Sequence, residues 1–289
     1  MTRAATQRFH RGAACGLSDV GRVRSDNEDH FLIDEPSGLV VVCDGMGGHA
    51  GGARASREAA ATLQRCFAMA RRSAGRGAGG DEDIDASEAT VIVAPPRVQD
   101  PDATVPDLGL GAARIAAEAV GIANRRLCDL NAGVDCSLTS MMGTTATGLW
   151  QPGDDDLMVL FHVGDSRLYR LRGGRLQQLT IDQTLAQHAR ALGASRTEAA
   201  ALPRNVLLQA LGPYEDVEAE VRILRAARGD LYLLCSDGLH GAVDDRVLER
   251  TLALAPRDDL DAVCASLVAM ANAGGGHDNI TAVLLAYEG

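Results

Sequence analysis

Four aspartates of this chain stand where strand-like apolar runs end or begin. Asp44 closes LVVVC and precedes Gly45, and Asp165 follows LMVLFHVG and precedes Ser166. Asp237 follows DLYLLCS and precedes Gly238, and Asp278 opens the last run in GHDNIT. If these runs are strands of one sandwich, their ends converge at one edge, where four carboxylates repel each other unless a cation holds them. With oxygen donors and no matching Cys or His cluster, the hard ions Mg2+ or Mn2+ are favoured over Zn2+. Adjacent glycines let backbone carbonyls approach such an ion. The competing reading is that each Asp caps a turn, as Asp beside Gly often does. That reading suits any one of the four better than all four together. A second cluster, Arg24, Glu28 and Asp29 in GRVRSDNEDHF, precedes the strand leading to Asp44 and so falls near the same edge. An Arg fork beside a cation site suits a phosphate, and water bound to two metals is a nucleophile at neutral pH. The chemistry indicated is phosphoryl chemistry.

What the chain lacks narrows the choice. All 28 of its Lys and Arg positions are Arg, which excludes a phosphate-binding P-loop, a protein kinase and Schiff-base catalysis. With 39 Asp and Glu the net charge is −11, which argues against a face that coats nucleic acid. No apolar run approaches the ~20 residues of a membrane span, and MTRAATQRFHRG lacks the apolar stretch of a signal peptide. Seven Cys occur without a CxxC pair, several of them (Cys43, Cys235, Cys264) inside apolar runs. They read as buried free thiols, and the chain as cytoplasmic. A Cys nucleophile is the competing mechanism. No Cys is expected in the loop of Cys-dependent phosphatases, where a Cys is followed after five residues by Arg.

The elements that must carry these groups can be read in outline. ACGLSDV, HFLID and GLVVVCDG read as strands. Residues 51–72 are Ala-rich, with Leu63, Cys66, Phe67 and Ala70 at helical spacing, and residues 109–130 repeat this around Ile115, Ala119, Ile122 and Leu127. Between them, residues 73–107 hold four of the nine Pro and the acidic run DEDIDASE. Such a stretch reads as a mobile insertion, with a minor alternative of an extra strand in ATVIVA. Strand signals are then dense from MMGTTATGLW to RLQQLT, with a hairpin turn expected at Gly173–Gly174. A polar helical patch at 184–201, the strands VEAEVRIL and DLYLLCSDG, and two helices follow, one after Asp244–Asp245 and one across 257–273. NITAVLLAY closes the chain as a strand buried on both faces. Strands in runs and helices in pairs exclude a βαβ alternation. The fold class expected is α+β: two antiparallel sheets flanked by helix pairs, a four-layer αββα sandwich, in one domain over residues 1–289.

These stretches together resemble the metal-dependent protein phosphatases (type 2C, the PPM family) in their compact bacterial form. The resemblance is carried, in order, by VRSDNED, VVCDGMGGHAGG, GTTATG, HVGDSRLYRLRGGRLQQLT, NVLLQALG, GDLYLLCSDGL and GHDNIT, spread from residue 15 to 287. It implies hydrolysis of phosphoserine and phosphothreonine in proteins. It also implies that Asp44 bridges two ions while Gly45 lends its carbonyl, and that Asp237 and Asp278 complete the second ion's shell. Asp165 with Asp237 would take the third ion common in bacterial members. Arg24 would bind the substrate phosphate, and Glu28 and Asp29 would hold metal-bound waters. The mechanism expected is direct attack by a hydroxide bridging two ions of Mn2+ or Mg2+, with no phosphoenzyme. The partners expected are phosphorylated proteins, including a cognate Ser/Thr kinase or its substrates, met by a monomer.

Some positions depart from the family pattern. Met46 stands where many eukaryotic members carry a His assigned as general acid, and His49 nearby reads as structural. Asp182-Gln183-Thr184 replaces the usual D-H-S of bacterial flaps, and His240 stands where a small polar residue is commoner. Two other classes stay open on sequence alone: a catalytically dead module that binds phosphoproteins, and a small-molecule phosphatase on the same site.

Overall fold

Strands that are apolar at every position need cover on both faces, and the topology supplies it. The computed structural model describes residues 1–47, 50–74, 97–98, 107–133, 141–203 and 206–289. Its first half runs β1 (Thr2–Phe9), β2 (Gly12–Asp19), β3 (His30–Asp34), β4 (Leu39–Cys43), β5 (Gly45–Met46), α1 (Ala50–Ala74), β6 (Arg97–Val98), α2 (Asp107–Asn131), β7 (Gly143–Thr144) and β8 (Ala146–Trp150). Then come β9 (Leu157–Val163), β10 (Arg167–Arg172), β11 (Arg175–Gln178), α3 (Leu185–Ala191), α4 (Arg196–Ala200), β12 (Glu220–Arg225) and β13 (Leu231–Cys235). The chain ends with α5 (Asp237–His240), α6 (Asp245–Ala253), α7 (Leu260–Ala273) and β14 (Ile280–Tyr287). One sheet has the order β1-β2-β14-β13-β10-β11 and the other β3-β4-β8-β9-β12-β6. Pairing is antiparallel except for β6 beside β12, and β5 pairs separately with β7.

Alternation along the strands sorts the core into three layers. In β4, Val40 and Val42 enter the space between the sheets, while Leu39, Val41 and Cys43 face α1 and α2. In β14, Val283, Leu285 and Tyr287 point inward, and Ile280, Ala282, Leu284 and Ala286 meet α6 and α7. The result is the αββα sandwich. Helix α1 buries Ala55, Ala59, Leu63 and Phe67, each four residues from the last, and the Phe67 ring stacks on Trp150 at 4.7 Å. In α2 the buried stripe is Ala116, Val120, Ala123 and Leu127. Of the positions marked from the sequence, Ala119 and Leu127 are buried while Ile115 and Ile122 are only half-buried, so the buried face is made largely of small residues that let the two helices approach.

The mobile insertion and its strand in ATVIVA fall largely outside the described residues. Those that are described extend α1 to Ala74, add β6 at the edge of β12 and start α2 at Asp107. The hairpin forms with Arg172 opposite Arg175, and Gly173 and Gly174 take φ of 58° and 78°, as a two-residue turn of that hand requires. The helical patch at 184–201 divides into α3 and α4 around Gly193 (φ 99°). No helix among the described residues is long and apolar enough to cross a membrane. The six described Cys are all free thiols, and Cys15 on β2 meets Cys264 on α7, Sγ to Sγ, at 3.1 Å.

Candidate active site

Strands β4 and β9 flank β8 and run in the same direction, so Asp44 and Asp165 emerge at one edge. In the facing sheet β13 and β14 are antiparallel, with Cys235 opposite Ala282, so Asp237 and Asp278 meet where one strand ends and the next begins. The loop from β2 to β3 brings Arg24, Glu28 and Asp29 to the same edge. Asn279 fixes that loop: its Oδ1 accepts from the Glu28 amide at 2.8 Å, and its Nδ2 donates to Val20 O and Asp26 O. Asp44 is pinned through its backbone, its N–H donating to Thr145 Oγ1 at 2.9 Å and its carbonyl accepting from the Thr145 amide. At Gly45 a Cβ would lie 2.2 Å from Gly52 O and 2.5 Å from Glu28 O, so only glycine fits there.

The seven charged residues picked from the sequence are thus gathered at one place, and their charges feel each other. Burial raises the Asp44 carboxyl well above its ordinary range, and the charges of Asp29, Asp237, Asp165 and Asp278 raise it further. Burial, with Asp237 and Asp182 adding to it, pushes Asp165 up to about 7. Asp237 is raised as well, by burial first and by the charge of Asp278 second. Asp29 is also pushed to about 7, chiefly by burial, although Ser236 Oγ (2.7 Å) and Thr281 Oγ1 (2.6 Å) donate to its Oδ2. Its Oδ1 has no partner and neither has Oδ1 of Asp237, both being buried. Arg24 Nη2 donates to Asp278 Oδ2 at 2.8 Å.

Orphaned buried carboxylate oxygens cost several kcal/mol each when charged, and a cation removes that cost. These residues therefore fit a hard divalent ion. Among the described residues no three His, Cys, Asp or Glu side chains close on a single ion by themselves.

The model of the family described as protein phosphatase 2C matches residues 21–284. The chain belongs to the protein phosphatase 2C family. It is 32% identical over 269 residues to the serine/threonine protein phosphatase PstP of Mycobacterium tuberculosis, covering 92% of this chain and 43% of that protein. The chain thus spans less than half of that relative's length. With the serine/threonine phosphatase stp of Listeria monocytogenes it shares 30% identity over 93% of both chains. The crystal structure of the PstP catalytic domain in complex with two manganese ions superposes with a TM-score of 0.69, at 29% identity, covering 96% of this chain and 98% of that one.

Around these carboxylates, several further residues hold the edge together and were not singled out from the sequence. Ser236 and Thr281 carry Asp29, Thr145 carries Asp44, and Asn279 carries the Arg24 loop. Each lay inside a quoted stretch (CSDG, NIT, GTT), but a hydroxyl or amide beside Asp or Gly looks like a turn residue. The flap departure also has a structural role: Gln183 Oε1 accepts from Gly164 N–H and its own N–H donates to Gly164 O, both at 2.8 Å, so it ties the flap to the loop bearing Asp165. His240 Nε2 lies 3.0 Å from Asp165 O; a carbonyl only accepts, so Nε2 carries the proton. His49 lies outside the described residues. One expectation needs correction: Cys66 and Arg72 do have the spacing of a Cys-dependent phosphatase. Helix α1 runs through both, so no phosphate loop forms, and burial raises the Cys66 thiol.

Proposed function

We propose that this chain hydrolyses phosphoserine and phosphothreonine in cytoplasmic proteins, as a monomer that reverses a Ser/Thr kinase. What carries the reading is the set of four raised carboxylates, Asp29, Asp44, Asp165 and Asp237, at one sandwich edge with Asp278 and Arg24 beside them. Asp44 would hold two divalent ions with the Gly45 carbonyl, Asp237 and Asp278 would complete the second ion's set of ligands, and Asp165 with Asp237 would take a third ion. Bound there, such ions supply Lewis-acid charge and a water ionised near neutral pH. Arg24 offers its fork to the phosphoryl oxygens as their charge grows. Asp29, fixed by Ser236 and Thr281, presents the unpartnered Oδ1 that orients the attacking water and accepts its proton, and Glu28 holds water beside it. Phosphate monoesters hydrolyse so slowly that roughly 20 kcal/mol or more of barrier reduction is required, which concentrated positive charge is suited to provide.

Turnover of a phosphopeptide against a sugar phosphate, with Mn2+ added, tests the proposal. Preference for the phosphopeptide is expected, and full activity in excess chelator would sink it. A chain that binds phosphopeptide without turnover would be the inactive module, and one preferring the sugar phosphate a small-molecule enzyme.

A further inference from the structure

A cavity of about 670 Å³ opens beside the carboxylate edge, walled by Asp165, Asp237 and His240 on one side and by α3 and α4 on the other. Its charges sort into used and unused. Asp165 and Asp237 belong to the proposed cation site. Asp182 is engaged by Arg167, whose Nε and Nη2 reach its two oxygens at 2.8 and 2.6 Å. Arg190 and Arg196, on the far wall, pair with no carboxylate among the described residues. Arg190 meets only the Gln187 side-chain carbonyl at 3.5 Å. Helix α3 buries none of its residues and α4 only Ala199, so packing does not explain why two guanidinium groups stand there. Thr184 and Gln187 line the same wall and add neutral hydrogen-bonding groups.

We propose that this cavity is a subsite for a second anionic group of the substrate, a carboxylate or a phosphate flanking the phosphorylated residue. The inference rests on the phosphatase reading above and names its substrate class: phosphoproteins acidic or multiply phosphorylated around the scissile site. The scissile phosphate sits at the Asp237 side, and the peptide crosses the cavity so that the neighbouring anion meets the arginine forks, which suit carboxylate and phosphate geometry alike.

The test compares kcat/KM, with Mn2+, for three phosphothreonine peptides: one flanked by Ala, one flanked by Asp, and one carrying a second phosphoserine. The wild type is expected to favour one or both anionic peptides by about tenfold over the Ala peptide, the scale of two charged contacts on a solvent-open wall. In the Arg190→Gln/Arg196→Gln double variant that ratio should fall to near one, and in the double Lys variant it should largely persist. Because each ratio is internal to one enzyme, loss of folded protein does not imitate the effect. Rising NaCl should erode the wild-type ratio even if a variant cannot be prepared. A ratio near one in the wild type, or one unchanged in the Gln variant, overturns the subsite and leaves the phosphatase reading intact. No turnover of any peptide by the metal-loaded wild type would instead strike that reading.

Discussion

At Asp29 one carboxylate oxygen is satisfied by two hydroxyls and the other has no partner. An Asn there can still accept from Ser236 and Thr281 but carries no charge, so Asp29→Asn is expected to fold normally and to lose about 100-fold or more in kcat. Its stability signature follows from linkage. The carboxyl titrates near 7 in the fold and near 4 when unfolded. Between those values the native state holds a proton that the unfolded state has released, so metal-free wild type loses stability as pH rises through that window. The penalty is absent below about 4 and complete above about 7; the Asp29→Asn variant loses only the Asp29 share of that slope, since Asp44, Asp165 and Asp237 are raised as well. Denaturation in chelator at pH 5 and 8 should show the wild type falling relative to the variant by on the order of 2 kcal/mol. A companion pair separates the mechanisms. Asp237→Asn should abolish turnover, whereas Cys43→Ser, one residue from Asp44 but facing α1 and α2 with a thiol raised by burial, should retain it in the same phosphopeptide assay.

Among the elements, the β10–β11 hairpin offers the cleanest test of local geometry. A Cβ at Gly174 would meet nothing within 4 Å, yet φ is 78°. Substitution there therefore exposes backbone cost without any clash. Gly174→Val should lower stability by roughly 1–2 kcal/mol, and Gly174→Asn by less, since Asn tolerates that region; urea denaturation measures both, with phosphatase activity unchanged. That turn was legible because its chemistry is local. The doubly covered strands β4, β9, β13 and β14 were legible as apolar runs, and their terminal aspartates with them. Strand β1 was not: its residues TRAATQRF, exposed except for half-buried Ala4 and buried Phe9, show no alternation, and it exists through its ladder with β2. The four-residue α5 was too short to carry a period. Which face of α2 would be buried depended on how closely α1 could approach, a tertiary condition. The supports of the site stayed hidden for a related reason, since Ser236 and Asp29 are 207 residues apart and no local pattern joins them.

For the whole molecule, the net charge of −11 divides unevenly. Residues 73–107 hold eight Asp and Glu and two Arg, or −6, leaving −5 on the remainder; two divalent ions would bring that remainder near −1. The acidity is therefore concentrated in the insertion and the carboxylate edge, and the rest of the surface is close to balanced. The fold around the insertion makes few demands on it. Among the described residues, helices α1 and α2 bury their Ala faces against each other and against β4 and β9. Its described contribution, β6, adds two residues to an edge, Arg97 beside Arg222 and Val98 beside Ile223. Replacing residues 75–106 with a short Gly/Ser linker should then cost no more than about 1–2 kcal/mol, the scale of a lost edge pairing and two hydrogen bonds. It should leave kcat/KM on a phosphothreonine peptide within about twofold, roughly 0.4 kcal/mol in barrier. Melting curves and peptide kinetics on the deletion variant decide it. A large loss of activity with the melting temperature preserved would mean that the acidic segment takes part in substrate engagement and is not a passive tether.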